Sequence, residues 1–463
     1  VTYENTNEDQ SADMGKSYGG TIVGRIGECP VYKETLLNGT DPVIKDELIP
    51  VTIDNDGTVK KADTGSKWYS YENKEWANAI ILKDESTANN YVDGSVIPED
   101  AIESYFVWIP RYKYKIFDNG NYTNLTTIEN AVQTIEVIFE NKDTPISSGT
   151  TTGNWLTHPA FTAFNTNGMW VGKFETGTTL TSDYNARNGD AVQIKPNVQS
   201  WRNIQVANAF YTSYDYKRNL DSHMMKNTEW GAVAYLQHSI YGSQTSVRIN
   251  NNSNYITGYA ANNEPTCGWT GTNEECNKYC QDGSCNSAYP NSVLASTTNN
   301  ITGIYDMSGG VWEYVMGVML DQYGNLMSGR NSLYNSGFNG TFGCPTCDSD
   351  TSNLTELTNG YDWPEKKYYD TYSYSTVDEE YQRRILGDAT GEMGPFNTKT
   401  YLTQNRQIGS WYADLALFVW SSNPWFMRGA ADYHGSDAGV FAFDCTYGLV
   451  SSDVSFRVVL TPQ

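Results

Sequence analysis

The hydrophobic positions of this chain change their spacing from segment to segment, and each spacing predicts a different element. Residues 1–50 are polar, with Gly, Asn and Thr and little sustained periodicity, and read as a partly extended lead-in. Strand-like pieces follow from 51 to 85: VTID, then KWYSYENKEWANAIIL, where Trp68, Tyr69, Tyr71, Trp76 and an Ile pair predict a small β-unit with an aromatic core. Residues 84–100 are acidic and Asn-rich and read as a linker. In YFVWIPRYKYKIF, 105–117, Tyr112, Tyr114 and Ile116 alternate with Arg111, Lys113 and Lys115, the period of a strand with one buried face. Pro110 predicts an edge position or a bulge at its start. GMWVGKFETG at 168–177 reads as another strand.

Two stretches then switch to helical spacing. SWRNIQVANAFYTSY puts Ile204, Ala207 or Asn208, and Tyr211 on one stripe, with Ser200 or Asn203 available as caps. KNTEWGAVAYLQHS at 226–239 puts Trp230, Val233, Ala234 and Gln237 on another, with Asn227 or Thr228 as cap. ITGIYDMSGGVWEYVMGVM at 301–319 predicts a Gly-Gly turn entering a strand, and 320–400 is polar and aromatic with no repeat. The run from Arg428 to Leu460, RGAADYHGSDAGVFAFDCTYGLVSSDVSFRVVL, has almost no periodicity until it ends in a clean strand.

Composition narrows the class. A chain of 463 residues allows two or three domains, or one large elaborated domain with a small partner. Abundant Tyr, Trp, Gly and Asn with few charges suit a β- and loop-rich extracellular protein. A net charge of −23 repels nucleic acid and anionic membrane, and excludes both as general partners. The longest apolar runs are short, such as AIILK at 79–83, so no direct membrane insertion is expected. The chain starts at Val1, which leaves room for an anchor upstream.

Of eight cysteines, Cys267, Cys276, Cys280 and Cys285 cluster in a Gly- and Asn-rich stretch that reads as a disulfide-stapled insertion with its pairing open. Cys344 and Cys347 form a CxxC that reads as a local disulfide before a zinc site, and Cys29 and Cys445 have no obvious partner. His158, His223, His238 and His434 are scattered without metal-ligand spacing, and His434 reads as a surface residue. GKSYG at 15–19 has the letters of a nucleophile elbow but no apolar strand leading into it. Asp378, Glu379 and Glu380 read as a solvated acidic run. Catalysis is not expected, because no constellation supplies both a nucleophile and a base.

FVWIP at 106–110, MWVGKFET at 169–176, SWRNIQVANAFY at 200–211, MMKNTEWGAVAYL at 224–236, GIYDMSGGVWEYVMG at 303–317 and SFRVVL at 455–460 run in the order of, and resemble, the formylglycine-generating-enzyme branch of the C-type lectin fold. The resemblance implies an α+β, C-type lectin-like domain with two helices, small twisted sheets and long insertions over 101–463. A small β-rich segment, 1–100, precedes it and connects it to a carrier. It also implies that the first and last strands lie side by side, pairing 106–117 with 455–460. The oxidising enzymes of that branch bind copper through two neighbouring thiolates near the C-terminus, where this chain has only Cys445. The resemblance implies no cofactor, though it leaves room for a structural calcium. Asp306 and Glu313 are expected to hydrogen-bond turn amides rather than to ligate one.

Another branch of the same fold is also similar: the variable proteins of diversity-generating retroelements, whose scrambled codons keep a pyrimidine third base. Between Ala430 and Val454 there is no Lys, Glu, Gln, Met or Trp, the residues that no codon ending in C encodes. Elsewhere these make up about one residue in six, so chance gives such a gap only about one time in a hundred. PWFMRG (424–429), GSDAGVFAF (435–443) and SFRVVL then resemble a fixed framework, within a variable region of about 411–460. The expected ligand-binding face, exposed to solvent, is Asp432, Tyr433, His434, Asp437, Asp444, Cys445, Thr446, Tyr447, Leu449, Val450, Ser451, Ser452, Asp453 and Val454. Phe441, Phe443, Phe456, Val458 and Leu460 should point inward, Gly429, Gly435, Gly439 and Gly448 should hold turns, and Trp425 and Arg428 should brace the base. Trp411, Trp420 and Trp425 are expected in the core. The resulting expectation is an extracellular protein of a bacterial surface or phage virion, whose partner is a cell-surface protein or glycan. A fixed adhesin or lectin-like module is one alternative, and a formylglycine-generating-type oxidoreductase, against which the absence of paired cysteines counts, is the other.

Overall fold

The computed structural model describes residues 37–117, 132–145, 148–249, 256–257, 288–327, 336–339, 360–376, 385–394, 399–400 and 407–463. Seven of the eight cysteines lie outside these residues, as do GKSYG and the acidic run 378–380, and with them the disulfide, CxxC and elbow expectations; Cys445 is half-buried.

The fold is α+β. Its largest sheet has eight strands, beginning with β1 (Ile49–Ile53), β2 (Val59–Lys61), β3 (Asn78–Leu82), β4 (Val96–Ile97) and β5 (Ile102–Pro110). β6 (Tyr112–Lys115), β7 (Glu136–Phe139) and β8 (Leu156–Thr157) form a separate three-stranded sheet, followed by a short helix, α1 (Pro159–Ala163). β9 (Gly168–Gly172) returns to the large sheet, and β10 (Gly177–Thr178) pairs with β11 (Val192–Gln193). Helix α2 (Val206–Tyr216), strand β12 (His223–Met224) and helix α3 (Asn227–Gln237) come next. β13 (Trp312–Met319), β14 (Asp370–Tyr372), β17 (Trp425–Arg428), β18 (Phe443–Thr446) and β19 (Val454–Phe456) build a five-stranded sheet; β15 (Lys399–Thr400) and β16 (Gln407–Ile408) pair only with each other. The last strand, β20 (Val458–Leu460), completes the large sheet, whose order is β12-β20-β9-β5-β3-β1-β2-β4.

That order corrects two expectations. β20 does not pair with 106–117; both flank β9, with Val459 opposite Val171 and Val107 opposite Val171 on the other side. β9 is apolar and glycine-ended, so it can be buried on both faces between two strands. Residues 49–97 are not a separate connecting unit: β3 pairs along its length with β5, from Asn78–Val107 to Leu82–Ile102, and its five residues are all buried. The boundary at 100 therefore falls inside one sheet.

Pro110 ends β5, opposite Gly168, and the chain changes sheets at Arg111. In β6, Tyr112 and Tyr114 are buried as expected, but Lys113 is buried too. Glu140 makes this tolerable: its carboxylate lies 3.0 Å from Arg111 Nε and 3.9 Å from Lys113 Nζ, all three groups being inside. Both long helices form where the spacing predicts them, although α2 starts six residues after Ser200, with neither Ser200 nor Asn203 as its cap. α3 is buried throughout, and Gly231 is where the chain from 387 to 388 crosses it; a Cβ there would lie 1.9 Å from the Gly387 carbonyl.

The Gly-Gly turn enters β13 as expected, but its polar contacts differ. Glu313 is not a turn cap; it is paired inside the protein with Arg457, which donates from Nε to Oε2 at 2.9 Å and from Nη2 to Oε1. The turn amide of Val311 donates instead to Glu175 Oε1 at 3.2 Å. Burial, with Glu313 and Asp306 close by, pushes the Glu175 carboxyl well above the usual carboxylate range.

Candidate functional site

β17 and β18 form the base of the C-terminal face. They pair antiparallel, Trp425 with Thr446, Phe426 with Cys445, Met427 with Asp444 and Arg428 with Phe443. Trp425, Phe426, Phe441 and Phe443 are all buried, as are Phe456, Val458 and Leu460. Trp411 is buried as well, and Trp420 is half-buried.

Arg428 is fully buried and ties four segments together. Its Nη1 donates to Asn227 Oδ1 at 3.0 Å and to the Asp388 carbonyl at 3.1 Å, and its Nη2 donates to the Ala389 carbonyl at 3.0 Å and, more loosely, to that of Val440 at 3.5 Å. Burial lowers the guanidinium pKa to about 10 and raises that of the nearby Asp388 carboxyl to about 6. The Trp230 indole N–H donates to the Val440 carbonyl at 2.8 Å, and Asp414 Oδ2 accepts from Phe441 N at 3.0 Å. Residues 439–443 are therefore strapped into the interior, and at Gly439 a Cβ would lie 1.9 Å from Asp414 Oδ2.

Beyond β18 the character changes. In 448–453 the main chain, not the side chains, makes most of the contacts to the scaffold. The Gly448 carbonyl accepts from Val206 N at 3.2 Å and the Leu449 carbonyl from the Tyr314 hydroxyl at 2.6 Å. The Ser451 carbonyl accepts from Asn203 N at 2.8 Å, that of Ser452 from Arg202 Nη1 at 3.0 Å, and that of Asp453 from Trp312 N at 2.9 Å. Such bonds survive a change of side chain, since every residue type supplies the same carbonyl. Gly448 is the fixed point, with φ +78° and a Cβ position 2.8 Å from the Trp425 ring.

The expected ligand-facing residues divide accordingly. Val450 and Ser452 are exposed; Cys445, Thr446, Tyr447, Leu449, Ser451 and Asp453 are half-buried. His434, Asp437, Asp444 and Val454 are buried, which overturns their expected exposure. A 3-10 helix over Asp432–Asp437 causes the first two. It turns the His434 ring under the chain, where Nδ1 accepts from Ala431 N at 3.2 Å and the ring meets Trp312 edge-on at 5.1 Å. Asp437 is enclosed where its carbonyl accepts from Leu415 N at 2.8 Å. Asp444 follows Phe443 into the sheet, where Oδ1 accepts from Cys445 N at 2.7 Å, and Val454 begins β19 against Trp312. The side chains of Asp432 and Tyr433 lie outside the described residues.

Neighbours of the tip that the sequence did not point to are Arg202, Asn203 and Trp363. Trp363 stacks on Trp425 at 5.6 Å with ring planes 5° apart, and Phe338 stacks on both. Only the general enrichment in aromatic residues hinted at this ladder. No group of three or more His, Cys, Asp or Glu suited to a metal occurs among the described residues, and no helix there is long and apolar enough to cross a membrane. No family model matches the chain, and no curated protein matches it.

Proposed function

We propose that this is a ligand-binding protein displayed on a bacterial surface or virion, with a C-type lectin-like core and a C-terminal tip diversified by a retroelement. The contact surface is Cys445, Thr446, Tyr447, Leu449, Val450, Ser451, Ser452 and Asp453, and its partner is a cell-surface protein or glycan. The observation that carries this reading is the anchoring of 448–453 through main-chain carbonyls, which leaves the side chains free to vary. Exposed substitutions usually change stability by only about ±0.5 kcal/mol, so such a tip can take many sequences without unfolding. The missing Lys, Glu, Gln, Met and Trp over 430–454 supports variation at the level of codons. The lectin-like reading rests on the quoted motifs, on the two helices between β9 and β13, and on the antiparallel pairing of β20 with a strand near the start of the motif order. Tyr447 suits a contact surface, giving large rigid area at low entropic cost.

A fixed adhesin is the second reading, favoured by the burial of His434, Asp437, Asp444 and Val454, which shortens the run able to vary. A saturation library over 445–453, sorted first for folding and then for binding to host cells, tests the assignment. Broad tolerance for folding together with narrow selection for binding supports it. Loss of folding at most of these positions refutes it.

A further inference from the structure

Two clefts share the half-buried Trp68 in their linings. One, of about 260 Å³, has Val51, Ile53 and Trp76 on its apolar side and Asn55, Glu75 and Thr302 among its polar lining. The other, of about 420 Å³, is lined by Asn38, Asp41, Ser66, Lys67 and Tyr69 as well as Trp68. The larger falls within the size range of small-ligand sites, about 300–1,000 Å³, and the smaller lies just below it. β1 supplies Val51 and Ile53 and stands four strands from β20 in the large sheet, which at about 4.8 Å per strand is on the order of 20 Å.

We infer that this pair of clefts binds a neutral glycan, with Trp68 as the platform between two sugar subsites. The inference is independent of the function proposed for the C-terminal tip. A sugar ring has one face of aliphatic C–H groups and an edge of hydroxyls. The C–H face matches the electron-rich face of an indole, and the hydroxyls match amides, carboxylates and hydroxyls at a rim. Asn55 and Glu75 are exposed at that rim. The walls are preorganised: Asn300 Oδ1 accepts from Thr302 N at 2.9 Å and Thr302 Oγ1 at 2.7 Å, while the Trp76 indole N–H donates to the Tyr241 carbonyl at 2.8 Å. On the far side, the Tyr69 hydroxyl donates to Asp41 Oδ1 at 2.9 Å, and its ring meets Trp68 edge-on at 5.0 Å.

Other occupants fit less well. Asp41 and Glu75, on a chain of net charge −23, disfavour an anionic ligand. β1 pairs with β3 over Ile49–Val51 and with β2 over Val51–Ile53, so the cleft's wall leaves at most Thr52 and Ile53 as an open edge, too short to hold a peptide strand.

The test titrates the full chain with short neutral hexose and N-acetylhexosamine oligomers, followed by saturation-transfer NMR and Trp fluorescence, with a sulfated oligomer and a neutral peptide as controls. At least one neutral oligomer should bind, and W68A should weaken it about tenfold or more. N55A and E75Q, at exposed positions that leave folding intact, should weaken it severalfold, and Y323S, at an exposed position outside the clefts and the tip, should leave it unchanged. Absence of binding by every neutral oligomer overturns the inference. So does equal binding by W68A, N55A and E75Q, or binding confined to the sulfated oligomer or the peptide.

Discussion

Replacing Arg428 with Met asks whether the base of the tip is held as described. Met keeps most of the volume and removes the guanidinium. Three buried acceptors, Asn227 Oδ1 and the Asp388 and Ala389 carbonyls, then lose donors now at 3.0–3.1 Å. A buried polar group left without its partner costs about 1–3 kcal/mol. Some of these acceptors relax toward other donors, and the charge itself no longer has to be buried, so the net loss should be roughly 3–5 kcal/mol. For a chain of 463 residues, with an unfolding entropy of about 1 kcal/mol/K, that lowers Tm by about 3–5 °C. Urea unfolding followed by Trp fluorescence gives the free energy, and differential scanning calorimetry gives Tm. R428K should recover only part of the loss, because an ammonium cannot span acceptors on separate segments as a planar guanidinium does. A value for R428M within about 1 kcal/mol of the native chain would refute the bracing argument.

Four more outcomes follow from the same geometry. S452K and V450D at the tip should change unfolding free energy by no more than about 0.5 kcal/mol, whereas G439A, whose Cβ would meet Asp414 Oδ2 at 1.9 Å, should cost about 1–3 kcal/mol or more in the same urea assay. E313Q leaves the Arg457 charge buried with a neutral partner and should cost a few kcal/mol, up to about 3–5, again read by urea unfolding. Burial lowers the His158 pKa from 6.5 to about 3 and that of His238 to about 4, so both stay neutral in the fold while the unfolded chain takes up protons. Each therefore contributes stability that is present above pH 6.5 and lost as pH falls toward its folded value, at up to about 1.4 kcal/mol per pH unit; H158N, which keeps a helix-capping acceptor, should flatten the acid limb of unfolding free energy against pH by that amount.

Local pattern made much of the fold legible. The helix of 227–237 falls inside the stretch whose apolar stripe predicts it, and β13 follows the Gly-Gly turn as read. The inward Phe441 and Phe443, two residues apart, were legible for the same reason. What local pattern does not carry is the identity of a distant partner. Nothing within 49–97 says that β3 will pair with β5 rather than close a unit of its own, because an alternating strand has the same signature in either sheet. Lys113 looked like the polar face of a strand because Glu140, which accommodates it inside, lies on another element. His434 looked exposed because the 3-10 helix that tucks it against Trp312 has no periodic signal in six residues. Arg202, through its guanidinium, and Asn203, through its main-chain N–H, reach carbonyls of the tip, contacts that no local pattern announces.

The claim underneath the proposed function is that side chains at the tip are free to change because backbone groups hold it. Sequencing the 3′ end of this gene across several isolates tests that directly. The account predicts amino-acid changes concentrated at Cys445, Thr446, Tyr447, Leu449, Val450, Ser451, Ser452 and Asp453, restricted to residues with pyrimidine-ending codons. Gly448, Trp425, Phe443 and Asp444 should stay constant. Silent changes scattered evenly along the gene, or replacements reaching the buried Phe441, Phe443 and Asp444 as often as the tip, would contradict it.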